Sequence, residues 1–102
     1  MNLADIRKDY ILQELNEADV STSPIGQFRA WMENALTSEV AEPNAMTLST
    51  VSVNGRPTGR IVLLKGLEEN GFLFYTNYDS RKGKELAENP FAALTFHWVE
   101  LE

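Results

Sequence analysis

The sequence predicts an α+β fold, mainly β, in which an antiparallel sheet carries one principal helix and a second, shorter one. Three observations predict it. Residues 60–65, Arg60-Ile61-Val62-Leu63-Leu64-Lys65, form an unbroken apolar run closed at each end by a cation and flanked by Gly59 and Gly66. Such a run reads as a strand with both faces covered, because a half-solvated strand alternates. Asn54-Gly55 lies between two strand-like stretches and suits the positive φ of a type I′ hairpin turn. Ser23-Pro24 and Ser80 each stand just before a helical pattern, where a hydroxyl can cap the first free N–H groups.

Taken in order, residues 1–20 place Ile6, Tyr10, Ile11 and Leu15 at near-helical spacing among many charges, the pattern of a peripheral arm. The Arg7-Lys8-Asp9-Tyr10 cluster within it reads, by itself, as a solvated helix face. After Ser23-Pro24, the residues Ile25, Phe28, Met32, Ala35 and Leu36 define one apolar helix face suited to packing on a sheet, with Trp31 at its margin. Glu42-Pro43-Asn44 is expected to end that helix. From Ala45 to Val53 the pattern is strand-like but changes parity: Met46 and Leu48 mark one face, Val51 and Val53 the other. A bulge near Ser49 or Thr50, or burial of both faces, accounts for such a change.

The 60–65 strand is then the return arm of the hairpin, with Pro57 near its start, where a missing donor costs least. Glu68-Glu69-Asn70-Gly71 turns the chain, and Phe72 to Thr76 reads as a third strand, so a three-strand meander is expected. Asn77-Tyr78-Asp79-Ser80 forms a capping loop before a short helix from Arg81 to Glu88, stopped by Asn89-Pro90. Phe91 to Leu101 reads as a fourth strand with Ala92, Leu94, Phe96 and Trp98 on one face. Its open edge calls for a cover, from another subunit or from more of the fold.

A chain of 102 residues with 43% hydrophobic content holds one domain over 1–102, an arm at 1–20 and a helix-plus-sheet body at 21–102. Without cysteine there is no disulfide framework and no thiolate metal site, and one histidine leaves no zinc set, so no metal is assigned. That usage fits a reducing, cytoplasmic setting. No signal-peptide pattern opens the chain, and no apolar run approaches the roughly 20 residues of a membrane span, so no membrane partner is expected. The net charge of −6 argues against nucleic acid as a partner. Charge is unevenly placed, however. Between positions 56 and 84, six cations (Arg56, Arg60, Lys65, Arg81, Lys82, Lys84) face three acids, leaving that window at +3 and the remainder at −9. A local basic site on an acidic chain suits a small anion.

Arg81 and Lys82 occupy the first turn of the short helix, where the dipole favours acids over cations. An anion bound there by the first-turn N–H groups, the Ser80 hydroxyl and the two cations reverses that penalty. Pairing of the basic turn with Glu85 or Glu88 is the alternative. Arg60 and Lys65, at the ends of the central run, need anionic partners of their own.

Five motifs then align in order: Arg60 to Lys65, Phe74-Tyr75-Thr76-Asn77, Ser80-Arg81-Lys82-Gly83, Asn89-Pro90 and Phe96-His97-Trp98. Together with the Asp5-Ile6-Arg7-Lys8-Asp9-Tyr10 arm they closely resemble the pyridoxine (pyridoxamine) 5′-phosphate oxidase family over the whole chain. The resemblance implies an FMN-binding split β-barrel, here incomplete, working as a homodimer with FMN at the interface. The implied reaction oxidises pyridoxamine or pyridoxine 5′-phosphate to pyridoxal 5′-phosphate, with oxygen as the acceptor. It also implies that Arg60, Ile61, Val62, Leu63, Leu64, Lys65, Tyr75, Thr76, Arg81 and Lys82 contact FMN. The substrate positions it implies are Arg7, Lys8, Asp9, Tyr10 and, for the substrate phosphate, Lys65. Family members continue after the positions of Leu101 and Glu102 into further strands that carry the groups acting on substrate, so no catalytic residue is assigned here, and His97 is read as structural. Two alternatives stand beside this reading: a non-catalytic flavin- or phosphate-binding dimeric module, and a related split-barrel flavin oxidoreductase with another substrate.

Overall fold

A computed structural model describes residues 1–6, 17–77 and 79–101. Arg7, Lys8, Asp9 and Tyr10 lie outside the described residues. Two compact units are present, one comprising Met1–Ala41 with Trp98–Glu102 and the other Glu42–His97.

The first unit is organised by helix α1, Pro24–Thr37. Ser23 is the cap expected of it: its backbone is extended and its hydroxyl accepts from the Gly26 N–H at 3.2 Å, while Pro24 occupies the first turn. The helix stops at Thr37, earlier than the Glu42-Pro43-Asn44 boundary that composition suggests. A Schellman turn ends it. The Val40 N–H returns to the Ala35 carbonyl at 3.2 Å and the Glu39 N–H to the Leu36 carbonyl at 3.4 Å. Glu39 takes the left-handed conformation, φ 57°, that this motif requires. Val40 and Ala35, the pair the motif brings together, are both buried. Elsewhere in this unit the rings of Phe28 and Trp98 lie 5.9 Å apart, and Glu100 accepts from the Ala41 N–H at 3.3 Å.

The second unit holds two antiparallel sheets, so the α+β class stands; no closed barrel forms among the described residues. The larger sheet has the order β2 (Pro57–Leu63), β1 (Ala45–Val51), β5 (Ala92–Thr95). β1 is central, and its register is unbroken, from Ala45 opposite Leu63 to Val51 opposite Pro57. The bulge expected near Ser49 or Thr50 is therefore absent. Met46, Leu48 and Thr50 alternate as the buried residues of β1, so the apparent parity change comes from a threonine occupying a core position.

The β1–β2 connection also differs from the type I′ turn expected at Asn54-Gly55. Only Gly55 has positive φ, 81°. The Gly55 N–H donates to the Ser52 carbonyl and the Ser52 N–H to the Arg56 carbonyl, both at 2.9 Å, which makes a three-residue loop ending in a left-handed glycine.

β2 ends at Leu63, and it alternates instead of being covered on both faces. Thr58, Arg60 and Val62 point to the covered side, opposite Thr50, Leu48 and Met46; Ile61 is 67% exposed and Leu63 is also open. Arg60 lies at the middle of β2 and makes its covered face partly polar, and the apolar residues after it alternate between the two sides of the sheet.

The third strand is likewise shorter than expected. β3 (Gly66–Glu68) and β4 (Gly71–Leu73) form a separate hairpin, and Phe74, Tyr75 and Thr76 lie outside any strand. The meander does not form: helix α2, Arg81–Glu88, lies against β1, and the chain re-enters the larger sheet beside β1 as β5. β5 covers only four of the residues expected to be strand, and Val99–Leu101 is a 3-10 turn.

Candidate anion-binding site

Helix α2 begins as its sequence predicts. The Ser80 hydroxyl accepts from the Gly83 N–H at 3.1 Å and donates its proton to the Asn77 carbonyl at 2.7 Å, so its proton and one lone pair are used in capping. This start fixes which face of the helix turns inward, and that face buries Gly83 and Glu85.

Glu85 is the centre of the site. Only 5% exposed, its carboxylate meets side chains from three elements. Thr50 on β1 and Thr58 on β2 both donate their hydroxyls to Oε2, the second at 2.7 Å. Arg81 donates Nε–H to Oε1 at 3.1 Å from one helical turn earlier. Thr50 and Thr58 are direct cross-strand partners, so both hydroxyls reach one oxygen. On their other side, the Arg60 terminal nitrogens donate to Thr50 Oγ1 and to Thr58 Oγ1, both at 2.7 Å.

Each threonine hydroxyl has one proton, given to Glu85, and lone pairs that receive a guanidinium N–H. The 3.2 Å approach between the two hydroxyl oxygens is therefore a contact without a proton to share. Arg60 and Glu85 are 4.0 Å apart, at the outer limit of an ion pair, so their coupling runs through the hydroxyls. Hydrogen bonds from Thr50 and then Thr58 hold the Glu85 carboxyl below its ordinary value of 4.5, and Arg81 adds to this through its hydrogen bond and its charge; burial opposes them and loses.

The cluster carries two guanidinium charges against one carboxylate. Arg60 retains N–H groups beyond the two it gives to threonine, and Arg81, with its side chain 70% exposed, is held among the described residues through Nε. An anion is what this arrangement can take up.

Of the residues predicted from sequence, Arg60 and Arg81 are brought together, on Glu85. Lys82 follows Arg81 and is half-buried. Lys65 is exposed beyond the end of β2, its N–H bonded to the Leu73 carbonyl at 2.8 Å. Ile61, Leu63 and Tyr75 are exposed, Val62 is half-buried and Leu64 buried. The Thr76 hydroxyl is buried and has no hydrogen-bond partner among the described residues. Sequence reasoning missed Thr50 and Thr58 altogether and treated Glu85 only as a surface partner of the basic turn. The parity change in β1 was the signal for Thr50.

A family model described as pyridoxamine 5′-phosphate oxidase matches residues 32–102. The chain belongs to that family. Among curated members of the pyridoxamine 5′-phosphate oxidase family, the pyridoxine/pyridoxamine 5′-phosphate oxidase of Cupriavidus pinatubonensis is 59% identical over 98% of this chain and 47% of its own length. That of Trichormus variabilis is 57% identical over the same shares. The chain thus spans about half the length of the curated relatives it matches. Among solved structures, PhzG from Burkholderia lata, in complex with tetrahydrophenazine-1-carboxylic acid, superposes with a TM-score of 0.82 at 31% identity, over 87% of this chain and 45% of that one. An FMN-binding protein from Nostoc punctiforme related to pyridoxamine 5′-phosphate oxidase gives 0.64 at 25% identity, over 78% and 42%.

Proposed function

We propose that the chain is part of an FMN-dependent oxidase that converts pyridoxamine or pyridoxine 5′-phosphate to pyridoxal 5′-phosphate with oxygen as acceptor. The observation that carries this reading is the 59% identity to a pyridoxine/pyridoxamine 5′-phosphate oxidase across nearly the whole chain.

The residues present fit FMN. A phosphate calls for guanidinium and ammonium groups; Arg60 and Arg81 supply the first around Glu85, and Lys82, next to Arg81 in the first turn of α2, supplies the second. The buried, unpartnered Thr76 hydroxyl is a polar group whose burial costs stability unless something bonds it, and a bound ligand would do so. As an edge strand, β2 offers backbone N–H and C=O groups on the side away from β1, suited to the polar rim of a ring system.

When bound, FMN supplies the hydride acceptor for the 4′ carbon of the substrate. This chain's task is to hold and orient. Arg60, Arg81 and Lys82 bind the flavin phosphate, the segment Ile61 to Leu64 with Tyr75 and Thr76 borders the flavin, and Lys65 serves the substrate phosphate. Arg7, Lys8, Asp9 and Tyr10 belong to the substrate side of the same proposal, as does a homodimer with FMN between its subunits.

The test is reconstitution with FMN, for this chain and for a version extended to the length of its relatives, followed by pyridoxamine 5′-phosphate in air. Flavin uptake with pyridoxal 5′-phosphate and peroxide formed by the extended protein supports the reading; no flavin uptake by either refutes it. A second reading, a flavin oxidoreductase acting on a tricyclic carboxylic acid, draws on the likeness to PhzG. Turnover of tetrahydrophenazine-1-carboxylic acid without turnover of pyridoxamine 5′-phosphate would select it.

A further inference from the structure

We infer that Glu85 is a positioning residue for phosphate recognition, presetting Arg60 and Arg81 for the phosphate of FMN. The inference rests on the FMN reading above and adds a residue that touches neither flavin nor substrate.

The geometry carries it. A buried carboxylate beside two arginines can simply neutralise them, but here Arg81 is paired closely at 3.1 Å while Arg60 stands at 4.0 Å, the outer limit of an ion pair. Arg60 is instead gripped by two hydroxyls whose protons Glu85 has already claimed, which forces their lone pairs toward the guanidinium. Arg60 is thereby held by two N–H groups on its terminal nitrogens, and its other three have no hydrogen-bond partner among the described residues. Arg81 is held on its Nε edge, which leaves both terminal nitrogens, the forked end of the group, without a partner among the described residues on a side chain that is 70% exposed. One carboxylate thus orders two guanidinium groups, Arg60 through the threonine hydroxyls and Arg81 directly, while consuming few of their donors. Holding two long cations in place before binding removes the ordering cost that a ligand would otherwise meet.

Charge neutralisation and positioning make opposite forecasts. Removing a carboxylate that merely offsets positive charge strengthens binding of an anion. Removing one that orients the cations weakens it. In Glu85→Gln the amide oxygen can still accept from the threonines, but the amide NH2 then faces the Arg81 Nε–H, donor against donor, and Arg81 is released. Thr58→Val keeps a β-branched strand residue and removes one grip on Arg60.

The experiment measures dissociation constants of FMN and of riboflavin, which lacks the phosphate, by flavin fluorescence for the full chain and both variants, with circular dichroism to establish folding. The expected result is FMN binding weakened about tenfold in each variant, the scale of one charge-assisted hydrogen bond or one or two disordered side chains, with riboflavin binding unchanged. Thr58→Val carries the same comparison through Arg60 alone if Glu85→Gln does not fold. FMN binding that is unchanged or tighter overturns the inference, and so does equal weakening of FMN and riboflavin, which marks a merely structural role. Absence of FMN binding by the unaltered chain overturns instead the functional reading on which the inference stands.

Discussion

The turn that ends α1 offers a test in which two backbone effects of opposite sign compete. Glu39 has φ 57° at the position where a Schellman motif needs the left-handed conformation, and its side chain is exposed. An L-residue with a Cβ is disfavoured there by about 1–2 kcal/mol, the clash of Cβ with the following carbonyl. Glycine escapes that clash but loses about 0.4–1 kcal/mol through the greater freedom of the unfolded chain. The strain is the larger effect, so Glu39→Gly should stabilise the fold by about 0.5–1 kcal/mol. In urea, with a slope of about 1–2 kcal/mol per molar for a small domain, the midpoint should rise by roughly 0.3–1 M. Glu39→Ala is the control, since it removes the same carboxylate and keeps the Cβ, and it should leave the midpoint nearly where it was. A lower midpoint for Glu39→Gly, or the same rise for Glu39→Ala, would refute the reasoning, because the gain would then be absent or would come from the charge.

Two other predictions concern the sheet and its polar core. Leu48 is fully buried at the centre of β1, between Arg60 and Leu94 in register, so Leu48→Ala should cost about 3–5 kcal/mol, read as a fall in the urea midpoint; a loss below about 1 kcal/mol would show that the site collapses around the cavity. The second concerns acid. Because the folded Glu85 carboxyl lies below its ordinary value of 4.5, its contribution is fully present above that value and is lost as pH falls through the lower, folded one. Denaturation midpoints for the unaltered chain and Glu85→Gln should therefore converge below pH 4.5, and parallel curves down to pH 3 would contradict the assignment.

Sequence alone determined the features that depend on neighbours along the chain. The Ser23 and Ser80 caps, the span of α2, the strand pairing across Asn54-Gly55 and the family all follow from local chemistry and ordered motifs. So does the basic window that supplies Arg60 and Arg81.

Tertiary structure decided which residues share a face and which strands pair. The meander was the natural reading of successive strands, but α2 packs against β1 and β5 pairs beside it, a choice made by packing between distant segments. The 60–65 run looked apolar on both sides until Arg60 was seen to point inward, to partners ten and twenty-five positions away on other elements. Thr50 looked like a break in a hydrophobic pattern because periodicity rules assign polar residues outward; a threonine can take a core position when its hydroxyl is satisfied there, and here Glu85 from α2 accepts its proton while Arg60 donates to its oxygen. The cations of the site were therefore legible in the sequence, and the carboxylate that holds them in place was not.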